Sequence, residues 1–190
     1  MRLVAVLGLV LPLIAACASH RASVVAPETT TAVPAAVPPG APASPVAVAP
    51  RPARPAPLTG HLTRAAVEDY ETWKALRAQD YTPDAESVRA IAARGGDVET
   101  LVILATWCPD SKRDLPRYFK ILDQAGIGLE KVALVGVDRT KKDAGGLTER
   151  HGITRVPTFV FFRGGAEIGR VVERPATTLE GDIAAILAKQ

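Results

Sequence analysis

The stretch LVILATWCPDS at residues 101–111 decides how this chain folds. It passes from an apolar run rich in branched residues into Trp107 and Cys108, and the polar residues that follow include Ser111. A short apolar run of this kind predicts a strand that is covered on both faces. We therefore expect a strand that leads into a helix, with the Cys108 thiol at the junction between them.

The other cysteine of the chain, Cys17, directly follows the N-terminal leader. Residues 1–16 carry Arg2 and then an apolar stretch that is short for a membrane span, as in a signal peptide. The leader ends in LIAAC and resembles a bacterial lipobox, which implies cleavage after Ala16 and a lipid on the Cys17 sulfur. An ordinary secretory signal with an incidental cysteine is the alternative. Ala18 is not the Asp that tends to retain lipoproteins in the inner membrane, which favours the outer membrane.

A lipidated Cys17 leaves Cys108 as the one free thiol of a chain that is expected to face an oxidising compartment. One cysteine cannot pair within its own chain, so a disulfide framework is excluded. A leftover thiol outside the cytosol points to pairing with another molecule or to a reactive sulfur.

Composition divides the rest of the chain into a tether and a domain. Ten of the sixteen prolines fall within residues 18–60, which are otherwise rich in Ala, Val, Ser and Thr. This composition favours an extended chain without a packed core, so residues 17–60 are predicted to be a disordered tether. Residues 61–190 are long enough for one domain with a hydrophobic core. The net charge of +3 is small and scattered, so no nucleic-acid partner is expected.

Helices are predicted where apolar residues recur every three or four positions. The first covers residues 62–79 and contributes Trp73 to the core. The second has Thr82 as its N-cap. The remaining assignments are inward-facing Val88, Ile91 and Ala92 in the second helix, a helix after Cys108, a polar helix over residues 144–151, and a final helix opened by the capping box Thr177-Thr178-Leu179-Glu180.

Four strands are predicted from short apolar runs. Helical crossovers make the first two parallel, and Gly164-Gly165 joins the last two as an antiparallel hairpin. The fold class is therefore α/β, with a mixed sheet of about four strands flanked by helices on both sides and an extra N-terminal helix. The strands cover residues 98–105, 131–137, 158–162 and 167–172.

This element order, with residues at defined positions along it, resembles the thioredoxin superfamily. Trp107 and Cys108 stand where that family has its Trp and its nucleophilic Cys. Pro116 stands where its second helix is kinked, and Asp138 closes the central strand. Residues 156–158, Val-Pro-Thr, match the loop whose proline is cis in the family and whose backbone pairs with an extended client.

The resemblance covers about residues 98–189 and implies a thioredoxin fold with a redox-active thiol. Cys108, Ser111 and Trp107 are the catalytic residues that it implies. The residues that it assigns to substrate binding are Val156, Pro157, Pro109 and Asp110.

Two positions depart from the family pattern. Ser111 replaces the resolving cysteine, and Val102 replaces the buried acid six residues before the nucleophile. That acid is generally credited with helping proton transfer as the second thiol attacks. Losing both together indicates a chain that is not equipped for intramolecular resolution.

A lone thiol at this position still supports chemistry. The N-terminus of a helix stabilises a thiolate on Cys108, and the Ser111 hydroxyl is expected to donate a hydrogen bond to the sulfur. Lys112 and Arg113 favour the thiolate, whereas Asp110 opposes it. Attack on a disulfide or a sulfenic acid of another protein gives a mixed disulfide, which an external thiol then has to release.

The alternative is a thioredoxin-fold module that binds clients or envelope components and has a vestigial cysteine. Peroxiredoxin chemistry fits poorly because Ala105 stands where that family has a Thr. The Cys-x-x-Ser pattern is similar to monothiol glutaredoxins, but an exported location argues against iron–sulfur cluster assembly. His20, His61 and His151 show no ligand spacing, so no metal site and no cofactor are expected.

The sequence therefore predicts a bacterial cell-envelope protein that is anchored by a lipid on Cys17 and faces the periplasm. Its expected partners are protein thiols and disulfides of the envelope and an external reducing thiol.

Overall fold

The computed structural model describes residues 54–74 and 81–189. The leader, Cys17 and most of the predicted tether lie outside these residues. The described residues belong to a compact unit that covers Arg51–Gln190. Its strands are β1 (Gly60–Leu62), β2 (Val98–Leu104), β3 (Val132–Gly136), β4 (Thr158–Arg163) and β5 (Ala166–Val172). Its helices are α1 (Arg64–Asp69), α2 (Ala85–Arg94), α3 (Pro109–Ala125), α4 (Leu147–Arg150) and α5 (Leu179–Leu187), with a 3-10 turn at Leu129–Lys131.

The five strands form one mixed sheet in the order β1-β3-β2-β4-β5. β2 and β3 are parallel, as the crossover through α3 requires. β4 runs antiparallel to β2, and β5 antiparallel to β4. Gly164 and Gly165 both have positive φ, the backbone that a two-residue hairpin turn needs. The predicted α/β thioredoxin fold is confirmed, with one strand more than the sequence indicated.

The additional strand, β1, lies antiparallel against the outer edge of β3. Gly60 pairs with Gly136, where a side chain would clash because an added Cβ would lie 2.3 Å from the carbonyl oxygen of Leu58. The backbone of residues 58–60, which the sequence assigned to the tether, therefore contacts the domain.

Side chains alternate between the two faces of the sheet. On β2, Val102 and Leu104 point to one side, and Leu101 and Ile103 to the other. We call the first side the closed face, because α1, α2, α3 and α5 all contribute buried residues to it. Its largest buried side chains include Ile91, Leu115, Tyr118, Phe119, Phe159 and Leu179.

We call the other side the open face. Among the described helices, the short α4 supplies Leu147 to it, and the loop after α4 adds Ile153 and Val156. Cys108 belongs to this cluster, with Trp107 packed against it. The thiol is therefore attached to the thinner of the two hydrophobic layers.

The N-terminal helices differ from the prediction in extent. The predicted helix over residues 62–79 is realised only as α1, and residues 75–80 lie outside the described residues. Trp73 is 2 % exposed and joins the closed-face cluster, which confirms it as a core residue. α2 is capped by Asp84, which accepts a hydrogen bond from the Ser87 amide, and not by Thr82.

Two further helix predictions were wrong. Ala92 is exposed on α2, because Val88 and Ile91 fill the buried stripe before the helix ends at Gly95. The N-cap of α5 is Thr178, which accepts from the Gly181 amide. Glu180 does not complete a capping box with Thr177. Its carboxylate lies 2 % exposed and accepts from the Tyr81 hydroxyl and from a backbone amide of the α2 cap.

None of the helices in residues 54–74 and 81–189 has the length and hydropathy that crossing a membrane would require.

Candidate active site around Cys108

Cys108 is the N-cap residue of α3, directly after the turn that ends β2. Its amide donates to the carbonyl oxygen of Ala105 at 3.0 Å, and its own carbonyl accepts from the Lys112 amide at 3.1 Å. The side chain makes no capping hydrogen bond, so the sulfur is turned away from the helix N–H groups. Cys108 is 6 % exposed, and Pro109 beside it is exposed.

The sulfur is turned toward the loop that precedes β4. The thiol of Cys108 donates to the carbonyl oxygen of Val156, with the two atoms 3.2 Å apart. The bond between Val156 and Pro157 is cis. The fold thus brings together two residues 48 positions apart that the sequence assigned to one site. The hydrogen bond needs the protonated sulfur, because a thiolate has no proton to donate.

Ser111 lies one turn into α3 and is fully buried. Its Oγ accepts a hydrogen bond from the Ala105 amide at 3.2 Å. The sequence predicted that this hydroxyl donates to the Cys108 sulfur, whereas the bond it makes here ties α3 to the end of β2. Val102, at the family's acid position, is fully buried in the closed-face cluster.

Trp107 is partly buried beside the thiol. The Arg139 guanidinium carbon lies 5.6 Å from the centre of its indole ring, within cation–π range. The neighbouring Asp138 accepts from the hydroxyl and amide of Thr140 and from the Lys142 amide. The Thr140 hydroxyl is the main cause that holds the pKa of Asp138 below its usual range. Sequence reasoning missed the Arg139 contact, because Arg139 lies in a polar turn without any periodicity.

The charges at the start of α3 compensate one another. Arg113 donates to Asp110 at 2.6 Å and to both carboxylate oxygens of the buried Asp114 at 2.6 and 2.7 Å. It also reaches the carbonyl oxygen of Glu173 at 3.2 Å. The sequence predicted that Arg113 favours a thiolate, but its guanidinium is committed to these carboxylates. The spacing of three residues between Asp110 and Arg113 was the signal for this pair.

Residues 55–73, which precede α2, support the turn between β2 and Cys108. The Thr106 hydroxyl accepts from the Leu58 amide at 3.2 Å, and the Thr106 carbonyl accepts from the Trp73 indole at 3.1 Å. The Tyr70 hydroxyl contacts the carbonyl oxygens of Pro55 and Ala56. Thr106 was missed at the sequence level because a single polar residue beside a strand carries no pattern.

The described part of the chain contains no group of three or more His, Cys, Asp or Glu side chains arranged to hold a metal ion. Its one cysteine, Cys108, is unpaired. The site therefore offers a covered sulfur, an adjacent backbone edge at Val156 and an aromatic wall at Trp107.

Comparison with protein families gives the Thioredoxin family, whose model matches residues 93–185. These residues are a thioredoxin-like domain. The match begins within α2 and ends within α5, so it includes Cys108, Ser111 and the Val156-Pro157 loop. A comparison with curated proteins gives no match.

Several solved structures are similar to the thioredoxin-like domain. A Pseudomonas aeruginosa protein of unknown function is 19 % identical, with a TM-score of 0.47, and the match covers 68 % of this chain and 83 % of that one. The Drosophila melanogaster thioredoxin Deadhead is 24 % identical over 53 % of this chain and 88 % of its own, with a TM-score of 0.36. Mitochondrial thioredoxin 3 of Saccharomyces cerevisiae is 22 % identical over 52 % and 87 %, with a TM-score of 0.34.

Proposed function

We propose that this protein carries out monothiol thiol–disulfide exchange on other proteins through Cys108. The observation that carries the proposal is the contact between the Cys108 thiol and the Val156 carbonyl oxygen, 3.2 Å apart, beside Pro157. A client chain that pairs with this backbone edge brings its own sulfur next to Cys108. The Ser111 position holds a buried hydroxyl where a second thiol would resolve the product.

The reaction begins when the client displaces the thiol from Val156 and Cys108 loses its proton to solvent. The thiolate attacks one sulfur of a client disulfide, a bond forms between Cys108 and that sulfur, and the other client sulfur leaves as a thiolate. With a client sulfenic acid, the same attack releases water. An external thiol then attacks the client sulfur of the mixed disulfide: a bond forms between the external and client sulfurs, and Cys108 leaves as a thiolate that regains its proton. A second external thiol releases the client thiol as an external disulfide, so the external thiols are the reductant.

The same proposal includes the place of action. The lipobox-like leader supports a protein anchored through a lipid on Cys17 in the bacterial envelope, on the periplasmic side and at the outer membrane. Two or more acyl chains on one residue give stable anchoring where a single chain does not. Replacing Cys17 with Ser should abolish both lipid labelling and recovery of the protein in the membrane fraction, and retention of either would contradict the anchor.

A second candidate is a client-binding module that does not use its thiol. The low exposure of Cys108 and its hydrogen bond to Val156 favour this reading, because both slow attack by the sulfur. Capture of clients in cells separates the two. Monothiol exchange predicts adducts that dithiothreitol releases and that Cys108→Ala abolishes, whereas a module retains its clients in the Cys108→Ala variant.

The position of Ser111 gives a test with matched controls. Ser111→Cys places a second thiol one helical turn from Cys108, at a Cα separation suited to a disulfide. An intramolecular thiol acts at an effective concentration near the millimolar range, so in a single turnover it should release the insulin chain from the mixed disulfide about a hundredfold faster than external thiol held at ~10 µM. Ser111→Ala removes the same hydroxyl, and with it the bond from the Ala105 amide, without adding a thiol, so it should show no gain over the wild type. A folded Ser111→Cys variant without added activity would contradict the assumed geometry.

A further inference from the structure

A cavity of about 350 Å³ is lined in part by Trp107, the residue that precedes Cys108. Its walls come from two parts of the chain. The site contributes Thr106, Trp107 and Lys112, and the N-terminal segment contributes Arg54 and Tyr70. Arg139, whose guanidinium lies over the Trp107 ring, completes the wall. The mechanism proposed above makes no use of this space.

The charged residues that line this cavity are all positive. Arg54, Lys112 and Arg139 all line it, and none of its lining residues is acidic. Two acids close to these residues in the chain, Asp110 and Asp138, do not line the cavity. Asp110 is paired with Arg113, and Asp138 accepts hydrogen bonds within its own turn. A cavity with three cations and an aromatic wall favours an anion, and a guanidinium matches a carboxylate in particular.

The cavity lies within reach of a group carried by a client at Cys108. Trp107 precedes the nucleophile directly, and the Lys112 amide is hydrogen-bonded to the Cys108 carbonyl oxygen. Two residues of extended chain span about 7 Å. We expect a carboxylate one or two residues away from the client's reacting cysteine to reach the space between Lys112 and Arg139.

The N-terminal wall comes from outside the family match. Residues 54–72 lie outside the family match, which begins at residue 93. They are held on the domain by the bonds from Leu58 to Thr106 and from Tyr70 to the carbonyl oxygens of Pro55 and Ala56. The thioredoxin-like domain alone would leave this side of Trp107 open.

We propose that this cavity selects polypeptide clients that carry a carboxylate within two residues of the cysteine that exchanges with Cys108. The inference rests on the proposed function and names its substrate class. The exchange itself is unchanged: the bond to Cys108 forms, the client's other sulfur leaves as a thiolate, and the carboxylate is only bound. It raises the rate by holding the client sulfur near the thiol.

The test measures the rate at which the full-length chain forms mixed disulfides with three peptides. They are disulfide-linked, of equal length, and carry Glu, Gln or Lys beside the cysteine. We expect the Glu peptide to react about tenfold faster than the Gln peptide and the Lys peptide to react slowest, with the difference shrinking at high salt. The Glu-to-Gln rate ratio should fall toward one in the double variant Lys112→Gln, Arg139→Gln.

Two controls support the assignment. Arg89→Gln removes an exposed arginine from α2 on the closed face and should keep the wild-type ratio. Arg139→Lys keeps the positive charge and should retain most of the wild-type Glu-to-Gln rate ratio. Equal rates with all three peptides would overturn the inference and leave thiol exchange standing, whereas no reaction with any peptide would overturn the proposed function itself. Glutathione disulfide reacting as fast as the Glu peptide would assign the cavity to a small acidic thiol and overturn the polypeptide client.

Discussion

The two faces of the sheet are built differently. The closed face is covered by four helices and holds the large aromatic residues Tyr118, Phe119 and Phe159. The open face has α4 and a loop, and its smaller cluster includes Cys108 and Val156. The same strands supply both, because alternate residues of each strand point to opposite sides.

The difference between the two faces separates the residues that stabilise the fold from those that surround the thiol. Dense packing on the closed face fixes the positions of the strands. The end of β2 and the start of α3 are therefore held in place by the closed-face core. The open face is thin enough to expose Trp107 in part and to let a client approach the Val156 edge. Substitutions should therefore act on the free energy of unfolding when made on one face and on thiol reactivity when made near the other. The following predictions test this separation.

The largest expected effect is on β4, where neighbouring residues face opposite sides. Phe159 is 1 % exposed with its ring centre 5.0 Å from that of Tyr118, whereas Phe162 is partly exposed on the open face against His151. Phe159→Ala should lower the free energy of unfolding by about 3–5 kcal/mol, and Phe162→Ala by roughly 1 kcal/mol. Urea unfolding measures both. Phe159→Leu provides a folded comparison, and equal losses on the two faces would contradict the separation.

An intermediate effect is expected at Thr106, which links the site to the closed face. Thr106→Val removes the hydroxyl that accepts from Leu58 while keeping the carbonyl that accepts from Trp73. We expect a loss of about 1 kcal/mol and faster amide exchange in residues 54–60. Hydrogen exchange read by mass spectrometry measures the second effect. The exposed Thr154→Val serves as a control, and unchanged protection of residues 54–60 would show that another contact holds the segment.

The smallest effect is expected at the ion pair between Arg64 and Asp123, on the surface of the closed face. Arg64 donates to both carboxylate oxygens, at 2.6 and 2.7 Å, and this lowers the pKa of Asp123 below its usual range. A lowered folded-state pKa adds stability above the unfolded value near ~3.9 and loses it as the pH falls through the folded value. Because Asp123 is about half exposed, screening reduces the gain to a few tenths of a kcal/mol.

Asp123→Asn should therefore be slightly less stable than the wild type at neutral pH and equal to it once the pH lies below the lowered pKa of Asp123. Urea midpoints at both pH values provide the measurement. A difference that persists in acid would assign the effect to packing of the side chain and not to its charge.

Much of the fold follows from local pattern. The apolar runs around Val102, Leu134 and Val160 predict buried strands because few other segments combine branched residues with turn signals at both ends. β1 has only three residues, and its pairing with β3 depends on contacts about 75 positions away in the sequence. No local signal marks it, and the same is true of the contact between Leu58 and Thr106.

The helix caps show where local rules compete. Thr82 and Asp84 are both good N-caps, and the chain uses Asp84. Glu180 follows Thr177 by three residues, as the acid of a capping box does. Its carboxylate instead accepts hydrogen bonds from the Tyr81 hydroxyl and from the amide of Asp84, the α2 cap. In both cases the residue that caps the helix depends on contacts with other parts of the domain and not on the local sequence alone.

Motif positions predicted that Cys108 and Val156 lie together, and a hydrogen bond joins the two residues in the structure. The bonds of the other side chains in the candidate site could not be predicted. The hydrogen-bond partner of each side chain depends on rotamers and on distant backbone groups, which the sequence does not encode locally. Ser111 binding the Ala105 amide and Arg113 binding two carboxylates are both of this kind.

The hydrogen bond from Cys108 to Val156 has a consequence for how the thiol survives between reactions. Dissolved oxidants such as peroxide consume thiolates that they can reach, and this sulfur is 6 % exposed and hydrogen-bonded to a backbone carbonyl oxygen. A client that forms backbone hydrogen bonds with Val156 removes the acceptor and uncovers the sulfur in the same event. The proposed exchange therefore predicts that small oxidants attack the described thiol slowly in the resting protein and faster once a client is bound at the backbone edge of Val156.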